Sequence, residues 1–167
     1  RQYNNLFLLI QLSFVIGGGW QHSKVYSPKE LPVNYQSVLT GLDILELNRF
    51  DILQNKSVGL ISNHTSINRF DRHLAELIIA NQKMHVPIIF TPEHGFKGNL
   101  GAGDIVKDQQ KYLKAKVVSL YGKNKKPKKA DLNGLDILVF DLQDVGARYY
   151  TYTSTLTLVL KTAAENS

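Results

Sequence analysis

The stretch Leu135-Asp136-Ile137-Leu138-Val139-Phe140-Asp141 decides the fold. It is a nearly continuous apolar run, rich in branched side chains, that ends in an acid. A strand with one wet face alternates apolar and polar residues. A run without that alternation fits a strand buried on both faces, as in a parallel sheet wrapped by helices. Two more stretches share this character: Ser57-Val58-Gly59-Leu60-Ile61-Ser62 and Val86-Pro87-Ile88-Ile89-Phe90-Thr91, where Pro87 is tolerable near the start of its strand. Val117 to Tyr121 is a shorter candidate. Helical patterns separate them. Gly41 to Leu53 carries Leu42, Leu45, Leu47, Phe50 and Leu53 close to one face, with a break near Asn48. Asp71 to Gln82 sets Leu74, Leu77 and Ile78 on one stripe, with His73 expected at the surface. Tyr149 to Ala164 reads as a helix whose threonines lower its local propensity. The expected fold class is α/β, a mostly parallel sheet flanked by helices, over residues 41–167. No strand follows the last helical pattern to receive it, so this reading expects the domain to continue past residue 167.

The composition agrees with one folded domain: 167 residues, 43% apolar and 20% charged. There is no cysteine, which excludes disulfides, zinc–thiolate sites, iron–sulfur clusters and a thiol nucleophile. The net charge of +6 is mostly local, since five lysines crowd into Lys123-Asn124-Lys125-Lys126-Pro127-Lys128-Lys129. A nucleic-acid binder spreads basic residues along a face and interleaves aromatics. The lysines are therefore read as a solvated loop, and no nucleic-acid partner is expected. A basic module recognising anionic polymers through them is a third, weaker reading.

The N-terminus differs in kind. Leu6 to Ile16 holds only Gln11 and Ser13 as polar residues, Arg1 precedes it and Gly17-Gly18-Gly19 follows. Such a run matches an export leader, assigned here to residues 1–22, and is too short to span a bilayer comfortably. A buried N-terminal strand or helix is the alternative. The expected location is the periplasm or cell envelope, with no stable membrane insertion once the leader is removed. Residues 23–40, polar and carrying Pro28 and Pro32, read as a linker or extended arm.

Ligands of parallel α/β sheets bind beyond the carboxyl ends of the strands. Each of the three best strands runs into a polar cluster there: Ser62-Asn63-His64-Thr65, Thr91-Pro92-Glu93-His94-Gly95, and Asp141-Leu142-Gln143-Asp144-Val145-Gly146-Ala147-Arg148-Tyr149-Tyr150. Gathered at one edge, Asn63, His64, Glu93, His94, Asp144 and Arg148 would line a single cleft. A carboxyl group partly desolvated by aromatic neighbours can serve as a general acid, and Glu93 fits best. Arginine suits a ligand carboxylate, and Tyr149, Tyr150 and Tyr152 can offer a sugar ring an apolar face with a polar tip. No metal site is expected, because the histidines lack a ligand-dense spacing. The glycines of Gly95 to Asp104 follow neither a dinucleotide nor a P-loop pattern, so no cofactor is expected. They read instead as a flap beside Glu93, with Asp104 as a second carboxylate or a turn former.

Taken in order, five stretches resemble the bacterial exo-β-N-acetylmuramidase family of glycoside hydrolases. They are Val58-Gly59-Leu60-Ile61-Ser62-Asn63-His64-Thr65, Thr91-Pro92-Glu93-His94-Gly95, Ser119-Leu120-Tyr121-Gly122-Lys123, Val139-Phe140-Asp141-Leu142-Gln143-Asp144-Val145-Gly146 and Arg148-Tyr149-Tyr150-Thr151-Tyr152. The resemblance covers roughly Gly41 to Glu165 and only the N-terminal, Rossmann-like lobe of a longer family pattern. It implies removal of N-acetylmuramic acid from the non-reducing end of peptidoglycan fragments, so the expected partners are muropeptides or disaccharides. It places the family's catalytic glutamate on Glu93. Asp144 becomes the partner carboxylate, and Asn63, His64, His94, Arg148 and Tyr150 become substrate contacts. Ser66 and Asp104 depart from the family pattern, the latter by a shorter carboxylate. The competing reading is a non-catalytic peptidoglycan- or carbohydrate-binding module that uses the same cleft.

Overall fold

The computed structural model describes residues 39–98 and 111–166, together with the backbone of 7–10. The linker expected at 23–40 (apart from its last two residues), most of the expected leader, and the flap from Asn99 through Asp104 lie outside the described residues.

The chain forms β1 (Phe7–Ile10), α1 (Gly41–Leu47), a 3-10 turn (Asp51–Leu53), β2 (Ser57–Ser62), α2 (Leu74–Ile79), β3 (His85–Thr91), β4 (Lys116–Ser119), α3 (Lys129–Leu132), β5 (Ile137–Asp141) and α4 (Tyr152–Glu165). The five strands make one sheet in the order β1-β5-β2-β3-β4, and every pairing is parallel. β2, β3 and β4 follow one another outward, after which the chain crosses back so that β5 pairs on the other side of β2. β1, inside the segment expected as an export leader, pairs with β5.

The two faces carry separate cores. Val58, Leu60, Ile89, Val117 and Val139 pack with Leu42, Leu45, Leu53, Leu74, Leu77 and Ile78 of α1, the 3-10 turn and α2. Ile61, Ile88, Phe90, Val118, Leu138 and Phe140 pack with Leu132 of α3, Leu135, and Tyr152, Val159 and Ala163 of α4. Both faces are apolar at β2, β3, β4 and β5, which is why those strand sequences show no alternation. The division follows from crossover handedness. Right-handed connections that advance from β2 to β3 lie on one face, and a connection that returns from β4 to β5 must lie on the other. Gly59 completes the second core by omission: a Cβ there would stand 2.6 Å from Leu138 Cδ2 and 2.8 Å from Leu135 Cδ1.

Several boundaries differ from the sequence reading for local reasons. The first helix stops at Leu47 because Arg49 and Phe50 adopt left-handed φ of 53° and 55°. At its start Thr40 and Asp43 form a reciprocal capping box. α2 begins at Leu74 rather than Asp71. Asn68 Oδ1 accepts from the N–H groups of Phe70 and Arg72 and holds that stretch as a loop, with Asp71 at φ 56°. His73 is a correction, since it is the half-buried N-cap of α2 and not a surface helical residue. α4 begins at Tyr152, after a turn in which the Tyr150 N–H bonds Ala147 O. The lysine loop is anchored by buried Pro127, and Lys129–Leu132 coil into the short α3.

Candidate active site

The chain reverses direction between β2 and β5, so the topological crevice opens at their carboxyl ends, with the exit of β3 beside it. A row of polar residues crosses this edge: Asp141 is in register with Ser62, and Thr91 with Ser119. All four are buried. The Ser62 hydroxyl donates to Ser66 Oγ at 2.9 Å, and Ser66 donates to the backbone carbonyl of Asp141. Asp141 is only 7% exposed, and its Oδ2 has no hydrogen-bond partner. Burial pushes its carboxyl up from 3.8 to about 7, with the Ser66 hydroxyl offsetting part of the rise.

Asn63 leaves β2 fully buried. Its amide nitrogen donates to the Tyr152 hydroxyl at 2.9 Å, and its Oδ1 accepts from the N–H and hydroxyl of Thr65 at 2.9 and 2.7 Å. The Thr65 hydroxyl in turn accepts from the Gln143 N–H at 3.2 Å, tying the exit of β2 to that of β5. Asn63, expected as a substrate contact, has its side chain bonded inside the protein, where it sets the shape of the edge. His73 supports it from below. Nδ1 accepts from the Ala75 N–H, so Nε2 carries the proton and donates to Asn63 O at 2.8 Å. Burial holds this imidazole below its ordinary range. Its ring meets Phe96 edge-on at 4.9 Å, and Phe96 packs on Tyr112 at 4.5 Å, which pins the loop after β3.

Glu93 emerges two residues past the end of β3. Its Oε2 accepts from the Thr151 hydroxyl at 3.3 Å. The nearby Glu93 carboxylate, with a lesser contribution from burial, raises the Tyr121 phenol above its usual value. Glu93 and His94 line a hollow of about 330 Å³ with Tyr149, Tyr150, Thr151 and Tyr152. His94 (φ 72°) and Gly95 (φ 73°) bend the chain sharply away from the carboxylate. Tyr152 is the hub of the site. It is 4% exposed, meets Tyr150 edge-on at 4.9 Å and accepts from Asn63. Its phenol is raised chiefly by burial, then by Tyr150 and by the negative charges of both Glu93 and Asp144, against the Asn63 amide. One hydroxyl thus feels groups from the exits of β2, β3 and β5.

The remaining expected residues sit less centrally. His64 is exposed and lies against Gly98, where a Cβ would come within 2.0 Å of its Nδ1. Asp144 Oδ1 caps the Gly146 N–H at 2.7 Å, while its Oδ2 is buried without a partner. Arg148 is exposed and stands just before the lining residues, and Tyr149 is 86% exposed. The structure therefore brings Glu93, His94 and Tyr150 together, sets Asp144 within electrostatic reach, and leaves His64 and Arg148 outside the hollow's lining. Thr151, which donates to Glu93, was not among the expected site residues. Among the described residues, no group of three His, Asp or Glu is placed to hold a metal ion.

A family model described as "Exo-beta-N-acetylmuramidase NamZ, N-terminal" matches residues 58–167. The peptidoglycan β-N-acetylmuramidase NamZ of Bacillus subtilis (strain 168) is 39% identical over 133 residues, covering 77% of this chain and 31% of that protein. The crystal structure of a DUF1343 family protein from Bacteroides fragilis NCTC 9343 aligns with a TM-score of 0.68 at 34% identity, covering 77% of this chain and 32% of that one. The chain spans about a third of the length of these relatives.

Proposed function

This chain belongs to the family of the exo-β-N-acetylmuramidase NamZ N-terminal region, and from that premise we propose that it is the Glu93-bearing lobe of a glycoside hydrolase acting on peptidoglycan. The observation that carries the reading is the placement of Glu93, which accepts from the Thr151 hydroxyl in a tyrosine-lined hollow at the carboxyl edge of the sheet. There the protonated Glu93 carboxyl gives its proton to the glycosidic oxygen as the bond to the leaving group breaks toward an oxocarbenium-like state. Asp144, whose charge also acts on Tyr152, steadies the cation or guides water. Tyr150 offers its ring to the sugar. His64 and His94 hydrogen-bond its hydroxyls, and Arg148 pairs with the lactyl carboxylate that distinguishes muramic acid from glucosamine. Action is from the non-reducing end, releasing N-acetylmuramic acid.

The test is Glu93→Gln in the full-length protein, assayed on a β-N-acetylmuramyl disaccharide, whose sugar leaving group needs a proton as it departs. Loss of a general acid lowers turnover by about 10²- to 10⁴-fold. Undiminished turnover rejects the assignment. Saturable muropeptide binding without sugar release by the unsubstituted protein favours the binding-module reading instead.

The substrate lies outside the cytoplasm, and the run from Leu6 to Ile16 would direct export. Cleavage after this run removes β1 and leaves β5 as a sheet edge. N-terminal sequencing of the secreted protein decides between that outcome and a retained β1.

A further inference from the structure

Two hydrogen bonds of fixed direction define the state of His73. The Ala75 N–H can only donate, so Nδ1 accepts from it at 3.1 Å. The Asn63 carbonyl can only accept, so Nε2 carries the ring proton and donates at 2.8 Å. One neutral imidazole thereby caps α2 and holds the exit of β2. The Asn63 side chain continues the line. Its Oδ1 takes the N–H and hydroxyl of Thr65, which fixes the amide so that its nitrogen donates to the Tyr152 hydroxyl at 2.9 Å. Asn63 is fully buried, and Tyr152 is a wall of the hollow that holds Glu93. The line therefore crosses the carboxyl edge, from α2 on one face of the sheet to α4 on the other.

A second proton has no place in this arrangement. It would sit on Nδ1 against the Ala75 N–H and set two donors face to face. The ring has neighbours that oppose its moving aside. Phe96 meets it edge-on at 4.9 Å, and the Leu74 N–H ties the adjoining backbone to Ser66 O at 2.8 Å. The charged or titratable groups that face it are Glu76 on α2, which favours an imidazolium, and His64 at the exit of β2, which opposes one. Glu76 is shared with Tyr112, whose hydroxyl donates to it at 2.8 Å. Burial outweighs both charges and favours the neutral ring.

We propose that His73 is an acid-sensitive positioning residue: its neutral form holds Asn63, and through Asn63 the Tyr152 wall of the hollow, and its protonation breaks the α2 cap and loosens that wall. The inference rests on the reading of the hollow as the sugar site and adds the pH range over which that site is held. Because burial sets the folded value below the ordinary one, the holding form persists below the usual histidine range and is lost as pH falls through the lowered value.

The test is NMR of the full-length protein labelled at histidine, asparagine and tyrosine, titrated downward from neutral pH. The Asn63 side-chain amide and the Tyr152 ring should move at the midpoint of the His73 ring. In His73→Asn, which still caps α2 but does not titrate, they should stay still over that range. The parent measurement decides alone if that variant fails to fold: stationary Asn63 and Tyr152 signals overturn the coupling. Saturating N-acetylmuramic acid gives a second readout. A ligand that prefers the neutral form about fivefold must lower the His73 midpoint by about 0.7 pH unit. The carboxylate of the sugar would by itself raise the midpoint, so a downward move reports the coupling, and an unmoved or raised midpoint overturns it. Glu93→Gln should keep the His73 shift. An active Glu93→Gln with that shift present rejects the general acid and leaves the coupling standing. If the parent binds no N-acetylmuramic acid, the hollow is not the sugar site and the inference fails with that reading.

Discussion

Replacing Asp141 by Asn should make the protein more stable at neutral pH and change how its stability depends on pH. Asp141 is 7% exposed, and its carboxyl is raised from 3.8 to about 7, chiefly by burial. A group whose folded value exceeds its unfolded one keeps its proton longer when folded. Between those two values the unfolded state ionises while the folded state does not, so stability falls as pH rises from about 4 to about 7. The gap of about three units is worth on the order of 4 kcal/mol, of which roughly 2 kcal/mol is expected between pH 5 and 7. Asn keeps the shape and cannot ionise, so the variant should lose that slope. Urea unfolding followed by circular dichroism at pH 5, 6, 7 and 8, in both proteins, measures it. Every other titrating group is common to the pair, and a constant offset from the amide does not alter the slope. Parallel stability–pH curves for the two proteins would show that Asp141 is ionised in the folded state, and the argument from its burial would fail.

Asp43 should behave with the opposite sign. Burial works against its ionisation, but the backbone N–H groups of Arg69 and Thr40, the Thr40 hydroxyl and the Arg69 guanidinium outweigh it and leave the carboxyl below its ordinary value. Its contribution is present above the ordinary carboxylate range and disappears as pH falls through the lowered value. Asp43→Ala should cost about 1–2 kcal/mol at pH 7 and progressively less in acid, read by the same unfolding experiment. Tyr152→Phe strips the Asn63 amide of its acceptor in a buried position and should cost about 1–3 kcal/mol, whereas a neutral result would mean that Asn63 finds another partner. Gly98→Ala drives a Cβ into the His64 ring at a φ of 65°. It should displace the His64 ring resonances and cost about 1–2 kcal/mol from the left-handed backbone alone, and unchanged resonances would contradict the packing.

The amino-acid sequence determined the strands and their exits. The core runs of β2, β3 and β5 are apolar at successive positions, a local pattern that only a doubly covered sheet satisfies, and each ends in polar residues that the covered faces cannot hold. Glu93 was visible for the same reason, as a carboxyl directly beyond a buried strand and ahead of a glycine turn. Boundaries were less legible where side chains compete with the helix backbone. Asn68 capturing two N–H groups delays α2, and Phe50 entering the left-handed region ends the first helical segment. Nothing local in the chain says that β5 lies beside β2 or β4 beside β3. Those neighbours follow from the reversal of the crossover direction, a property of the whole sheet. Tertiary structure alone therefore decided that Asn63 is buried and bonded to Tyr152, that Asp141 is shut away from water, and that Thr151 reaches the carboxylate of Glu93. Contacts between residues tens of positions apart depend on strand order and register, and a side chain's chemistry carries no record of either.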